Sequence, residues 1–221
     1  MNPWRAAGAL LYHGLRVASR ADLRVIDEGG AGLLRGTRPL LIAANHRSHG
    51  DTPAIAMNVP PERRPHLRFL ASAARFGRAA AGAGVTQRVE RWAMHGLAVH
   101  GYGAILVGGE YVGLSAVAAM VEALEAGSTV VVYPEGTRDA SGALGTLRPG
   151  VVIAAVQAGV PIVPIRLDGV SEALPKSARW VRSGVRITLR VRAPIVPGPG
   201  EAPDALLARL EAALQPAKGG A

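Results

Sequence analysis

A chain of 221 residues fits one domain and, by surface-to-volume scaling, buries roughly 70% of its unfolded surface. Hydrophobic residues make up 49% and charged residues 19%, with a mean hydropathy of +0.21, which excludes a disordered chain. The absence of cysteine excludes a disulfide framework, a thiolate nucleophile, a Cys-ligated metal and a Cys-linked lipid anchor. Lys+Arg 25 against Asp+Glu 16 leaves a net charge of +9 and points to an anionic partner: nucleic acid, acidic lipid or a phosphorylated metabolite. With 4% aromatics and no aromatic-rich stretch inside a basic run, nucleic acid is the weakest of the three.

Residues 1–26 read as an amphipathic helical segment. At about 100° per residue, Trp4, Leu11 and Leu15 share a stripe, with Arg5, Arg16 and Arg20 off it. Such a helix either lies in a membrane interface or packs on the domain with solvated arginines, and the pattern does not separate the two. Arg5, His13 and Arg16 interrupt what a signal peptide would keep apolar. The greasiest stretch, Gly150 to Ile165, carries Gln157, Pro161 and Pro164, so no transmembrane helix is expected. The expected location is the cytoplasmic side of the cell membrane, as a peripheral protein.

Residues 27–221 read as one domain. Short aliphatic runs alternate with Ala- and Leu-rich helical stretches, which predicts an α/β fold with a mixed, mostly parallel sheet flanked by helices. Predicted strands are Leu40–Ala44, Leu67–Ala71, Ala104–Val107, Thr129–Tyr133, Ile162–Leu167 and Val185–Val191. Predicted helices are Thr52–Met57, Arg88–Ala98, Leu114–Ala126, Val151–Ala158 and Pro203–Leu214. No repeat of fixed period is visible, so solenoids and propellers are excluded.

Asn45-His46-Arg47-Ser48-His49-Gly50-Asp51 forms a polar turn between a buried strand and a helix, where open α/β sheets place their ligands. His46 and Asp51 are five apart and meet only if the chain bends between them, which Ser48 and Gly50 permit. If they meet, Asp51 orients the imidazole and His46 serves as a general base. Spacing alone is equally served by Asp51 opening a helix beside an ordinary loop histidine. A metal site from His46, His49 and Asp51 is a third reading, but no HExxH pattern or outlying ligand cluster supports it.

A second polar cluster follows the apolar run from Thr129: Pro134, Glu135, Gly136, Thr137 and Arg138. Arg138 offers forked hydrogen bonds to phosphate, Gly136 a close backbone approach, and Thr137 a hydroxyl. Arg148, further on, extends the anion-binding surface or is simply solvated. Taken alone, the cluster also fits a surface turn with a Glu–Arg pair.

Together these residues resemble the glycerolipid acyltransferases related to lysophosphatidic acid acyltransferase. Asn45 to Asp51 fits that family's NHxSxxD signature, Pro134 to Arg138 its PEGTR block, and Val160-Pro-Ile-Val-Pro-Ile165 its VPIVPV block. The three stand in the family's order across Leu40 to Leu167. The resemblance implies transfer of a fatty acyl group from acyl-CoA or acyl carrier protein to a lysophospholipid hydroxyl. His46 would then be the base and Asp51 its orienter. Asn45, Ser48, Glu135, Gly136, Thr137, Arg138 and Arg148 would bind substrate, with no metal and no cofactor beyond the acyl donor. A thioester is already activated, so base, orienter and oxyanion stabilisation suffice.

One departure stands out: where family members carry an Arg after the strand between these blocks, Val107 is followed by Gly108-Gly109. A different acceptor, such as a lyso-ornithine lipid or another lysolipid, is therefore a rival reading. A non-catalytic basic module binding lipid or nucleic acid is a more distant one. Lys176, Arg179, Arg182, Arg186, Arg190 and Arg192, with Trp180 among them, and a second basic excess from Arg63 to Arg91, suit either an anionic membrane surface or solvated faces.

Overall fold

Leu40 to Ala44 is apolar at every position, the pattern of a parallel strand covered on both faces, and all five residues are buried. The computed structural model describes residues 3–19, 22–48, 50–79, 82–108, 112–137, 143–174 and 182–216. In chain order its elements are α1 (Pro3–Ser19), β1 (Asp22–Glu28), α2 (Ala31–Leu34), β2 (Leu40–Ala44), α3 (Asp51–Asn58), β3 (Leu67–Ser72), α4 (Ala73–Phe76) and α5 (Val85–His95). They continue with β4 (Ala104–Val107), α6 (Val112–Glu125), β5 (Thr129–Val132), α7 (Gly150–Ala158), β6 (Ile162–Asp168), α8 (Val170–Ala173), β7 (Arg186–Arg192) and α9 (Pro203–Leu214).

The strands form one seven-stranded sheet in the order β1-β7-β6-β2-β5-β3-β4. Every neighbouring pair is parallel except β6 and β7. Alternate residues of β2 therefore feed two cores. Leu40, Ile42 and Ala44 pack with Ile55 of α3 and Phe69 of β3 on one face. Leu41 and Ala43 pack with Met120 of α6, Val152 of α7 and Leu206 of α9 on the other. Each fully buried Leu or Ile contributes about 1.5–3 kcal/mol. β2 lies three strands in from the β1 edge, which makes its carboxyl end a rigid platform.

The N-terminal segment divides in two. α1 ends at Ser19, and Asp22–Glu28 is an edge strand paired with β7, so a strand spans position 26 where sequence reading put a boundary. The edge strand is half exposed on both sides and carries no clean alternation, which is why it escaped notice. α1 packs on the domain: a Cβ at Gly96 would stand 2.4 Å from the Trp4 ring, so only glycine admits that indole. The side chains of Leu11, Leu15, Arg16 and Arg20 lie outside the described residues.

Acids answer the arginines of β7. Arg186 pairs with Asp22, Arg190 with Glu28 and Asp168, and Arg192 with Glu28. The strand face that looked purely basic is thus an ion-pair ladder across β1, β7 and β6, while Lys176, Arg179 and Trp180 lie outside the described residues. In the other basic stretch Arg63 is fully buried, where its guanidinium donates to the carbonyls of Leu33, Leu34 and Arg38 and to the Thr129 hydroxyl. Burial pulls its pKa below the ordinary value. This arginine closes the α2–β2 loop onto β5 and is unavailable to any ligand.

Candidate active site

The turn after β2 is held by bonds that its own side chains supply. Asn45 is fully buried and grips the Leu167 backbone of β6 twice: its Nδ2 donates to the carbonyl at 2.8 Å, and its Oδ1 accepts from the N–H at 2.7 Å. Ser48 donates to the Leu174 carbonyl at 2.7 Å and accepts from the Gly50 N–H at 3.2 Å. Asn45 and Ser48 thus spend these groups on scaffold. His49 lies outside the described residues.

Inside that turn the chain bends enough to bring His46 to Asp51. Imidazole Nδ1 stands 2.8 Å from Asp51 Oδ2, and the same oxygen accepts the Arg47 N–H at 2.6 Å and the Ser48 N–H at 2.8 Å. Asp51 is completely buried and opens α3, where the helix dipole favours a carboxylate. Its Oδ1 is buried without a hydrogen-bond partner. A carboxylate only accepts, so Nδ1 carries the hydrogen, and in the neutral ring that leaves Nε2 as the acceptor. The His46 side chain is 22% exposed, so part of the ring meets solvent while its Nδ1 edge is held by the buried carboxylate.

β5 runs parallel to β2 and delivers the second cluster to the same place. The Tyr133 ring stacks on His46 with centroids 4.1 Å apart and planes 15° from parallel. Its hydroxyl lies 3.0 Å from Thr52 Oγ1. Burial and then the Asp51 carboxylate push the phenol well above its usual range, against the Thr52 hydrogen bond, so the ring stays neutral beside the imidazole. Glu135 is buried and uses both carboxylate oxygens: Oε1 accepts the His46 N–H at 2.8 Å, and Oε2 accepts the Gly145 N–H at 2.9 Å. It clamps the two polar segments together. Neither Tyr133 nor Thr52 was singled out from sequence, because a stacked ring and its hydroxyl partner leave no spacing signature.

Gly136 has φ +72°, and a Cβ there would fall 2.6 Å from Arg148 Nε and 2.9 Å from its Cζ. The exposed guanidinium of Arg148 therefore lies directly over the Gly136 backbone, beside exposed Thr137. Arg138 lies outside the described residues. β4, at the sheet edge, ends at Val107 and is followed by the exposed Gly108, which brings no side chain to the site. Among the described residues no group of three or more His, Asp or Glu is placed to hold a metal ion. A mostly apolar cavity of about 200 Å³ opens between α1, α3 and β3, lined by residues including Met57, Leu67, Phe69 and Tyr102; His46 is not among them.

A family model described as Acyltransferase matches residues 24–168, which contain both polar clusters and the sheet strands between them. Among curated proteins, the 1-acyl-sn-glycerol-3-phosphate acyltransferase BAT2, chloroplastic, of Brassica napus is 32% identical over 75 residues, 34% of this chain and 22% of that protein. The 1-acyl-sn-glycerol-3-phosphate acyltransferase alpha of Ovis aries is 43% identical over 75 residues, 34% of this chain and 25% of that protein. The matches thus take in only about a fifth to a quarter of the length of these curated relatives. Among solved structures, that of PlsC, the 1-acyl-sn-glycerophosphate acyltransferase of Thermotoga maritima, aligns with a TM-score of 0.66 at 22% identity, covering 94% of this chain and 75% of that one. The likeness shows a shared fold. No helix among the described residues is long and apolar enough to cross a membrane.

Proposed function

The chain belongs to the acyltransferase family, and we propose that it moves a fatty acyl group from a thioester, acyl-CoA or acyl carrier protein, to the hydroxyl of a lysophospholipid such as 1-acyl-glycerol-3-phosphate. The observation that carries this reading is the 2.8 Å contact between Nδ1 of the partly exposed His46 and the buried Asp51 carboxylate.

In the proposed reaction His46 Nε2 takes the acceptor hydroxyl proton as its oxygen attacks the thioester carbonyl. Asp51 stabilises the imidazolium that forms. The tetrahedral intermediate collapses, the carbon–sulfur bond breaks, and the imidazolium returns its proton to the departing sulfur. Ester and thiol are the products, and no acyl-enzyme or metal is called for. Gly136, Thr137, Arg138 and Arg148 receive the acceptor, with a guanidinium at its phosphate. Asn45, Ser48 and Glu135 serve the same reaction by fixing the loops that carry His46 and Gly136.

A second acceptor class is favoured by one observation: the residue that follows β4 is Gly108, which carries no cationic side chain for the acceptor phosphate. The test is acyl transfer by the purified chain with one acyl group, supplied as its CoA and as its carrier-protein thioester, and a panel comprising lysophosphatidic acid, lyso-ornithine lipid and lysophosphatidylglycerol. Thiol release driven by lysophosphatidic acid above the others supports the first reading. Preference for another lysolipid replaces the acceptor, and no acceptor-dependent thiol release with either CoA or carrier-protein donors overturns the activity. The proposed location is the cytoplasmic face of the membrane, where thioester donors are found, with the chain bound peripherally.

A further inference from the structure

α5 is an amphipathic helix mounted with an apolar stripe turned to solvent. A surface helix ordinarily turns its apolar stripe to the core, yet no residue of α5 is buried. Val85, Val89 and Trp92, spaced four and three apart on one face, are 78%, 59% and 65% exposed. Residues off that face make the attachments, with Met94 half-buried among them: Arg91 donates to the carbonyls of Ala74 and Arg75 at 2.8 Å, and His95 Nδ1 lies 2.9 Å from the Phe76 carbonyl. Arginine and histidine thus cap the carbonyls of α4 while two valines and a tryptophan face outward. Such an inversion leaves apolar area in water without return unless a partner covers it.

We propose that this α5 face is the surface by which the protein docks on an anionic lipid bilayer. Three features select that occupant. Residues 73–95 hold four arginines and a single acid, Glu90, and Arg75, Arg78 and Arg88 are exposed, with Arg88 on α5 itself, a cationic surplus in this stretch of chain that complements acidic headgroups. A second copy of this chain would instead bring those arginines against one another. Short aliphatics beside a tryptophan, flanked by arginine, is the composition of a helix lying in the interface plane. Finally, α4 starts where β3 ends, and β3 runs in the same direction as β2, so α5 is fastened to the end of the sheet from which His46 emerges. Trp92 also meets Trp4 edge-on at 5.0 Å, which joins the stripe to α1. The choice of a bilayer over other anionic partners rests on the proposed lipid acyl transfer, because docking here presents the catalytic end to lipid-borne substrate.

The test is co-sedimentation of the full chain with vesicles of phosphatidylglycerol and phosphatidylcholine in equal parts, and with phosphatidylcholine alone, comparing the native chain with Val85→Glu/Val89→Glu and with Arg78→Gln/Arg88→Gln. Both valines are exposed, so the glutamates leave the fold intact. The expected result is that the glutamate variant loses about tenfold or more of its partitioning to the mixed vesicles. The glutamine variant should lose the preference for anionic over neutral vesicles, and added salt should mimic it. Thiol release from a short-chain acyl-CoA and a monomeric short-chain lysolipid should be unchanged in both. Unaltered vesicle binding in the glutamate variant overturns the proposal, as does a change confined to its oligomeric state or to turnover with carrier-protein donors. Loss of acceptor-dependent thiol release in the native chain would instead defeat the acyl-transfer reading, while the vesicle result still judges the surface.

Discussion

Glu135 and His46 are separated by 89 positions, and the carboxylate of one accepts the backbone N–H of the other at 2.8 Å. The bond makes the two polar segments a single site, because the same side chain reaches Gly145 with its second oxygen.

Replacing that carboxylate separates positioning from substrate binding. Glu135→Gln keeps the shape but turns an NH2 toward one of two N–H donors, so one clamp bond becomes a clash of donors. The expected outcome is a kcat lowered by about tenfold or more with acceptor KM little changed. A rise in KM at constant kcat would mean that Glu135 touches the acceptor instead.

Asn45 is expected to matter for stability first. Asn45→Ala strands both the N–H and the carbonyl of Leu167 inside the sheet, a loss of about 2–5 kcal/mol on the usual cost of unsatisfied buried groups. Urea denaturation measures it directly. Asn45→Asp should also be unstable, since a carboxylate would face the Leu167 carbonyl where the amide N–H now donates. A stable Asn45→Ala with raised acceptor KM would reassign the residue to substrate binding.

Gly136 and Arg148 are expected to act as a unit. Any Cβ at Gly136 collides with the guanidinium and occupies a backbone conformation costing about 1–2 kcal/mol for an L-residue. Gly136→Ala and Arg148→Ala should each raise the KM for a phosphate-bearing acceptor, and the double variant should be little worse than either single one. Full additivity would show that they contribute separately.

Much of this was legible in the sequence, for physical reasons that can be located. β2 and the Val130–Val132 run of β5 are uninterrupted apolar runs because parallel strands covered on both faces need them, and such runs announce themselves. The Asn45–Asp51 and Pro134–Thr137 turns were visible because polar residues cluster abruptly after those runs. β1 was not, since an edge strand exposed on both sides needs no pattern. The β7 arginines looked free only because their partners Asp22, Glu28 and Asp168 lie on other strands, and pairing across a sheet is invisible along a chain. Burial of Arg63 was hidden for the same reason: its acceptors are backbone carbonyls, which every sequence contains. The outward-facing apolar stripe of α5 is hidden too, because periodicity gives a stripe and not the direction it points.

The most direct measurement is acceptor-dependent thiol release by His46→Ala, with circular dichroism and thermal unfolding recorded on the same sample. His46 is partly exposed, and the Asp51 carboxylate keeps its two backbone N–H bonds in the variant, so the fold should survive. The account predicts native unfolding and a rate lowered by about 10²–10⁴, the usual worth of a positioned base. A folded variant that still turns over within a few-fold of the native rate would contradict it.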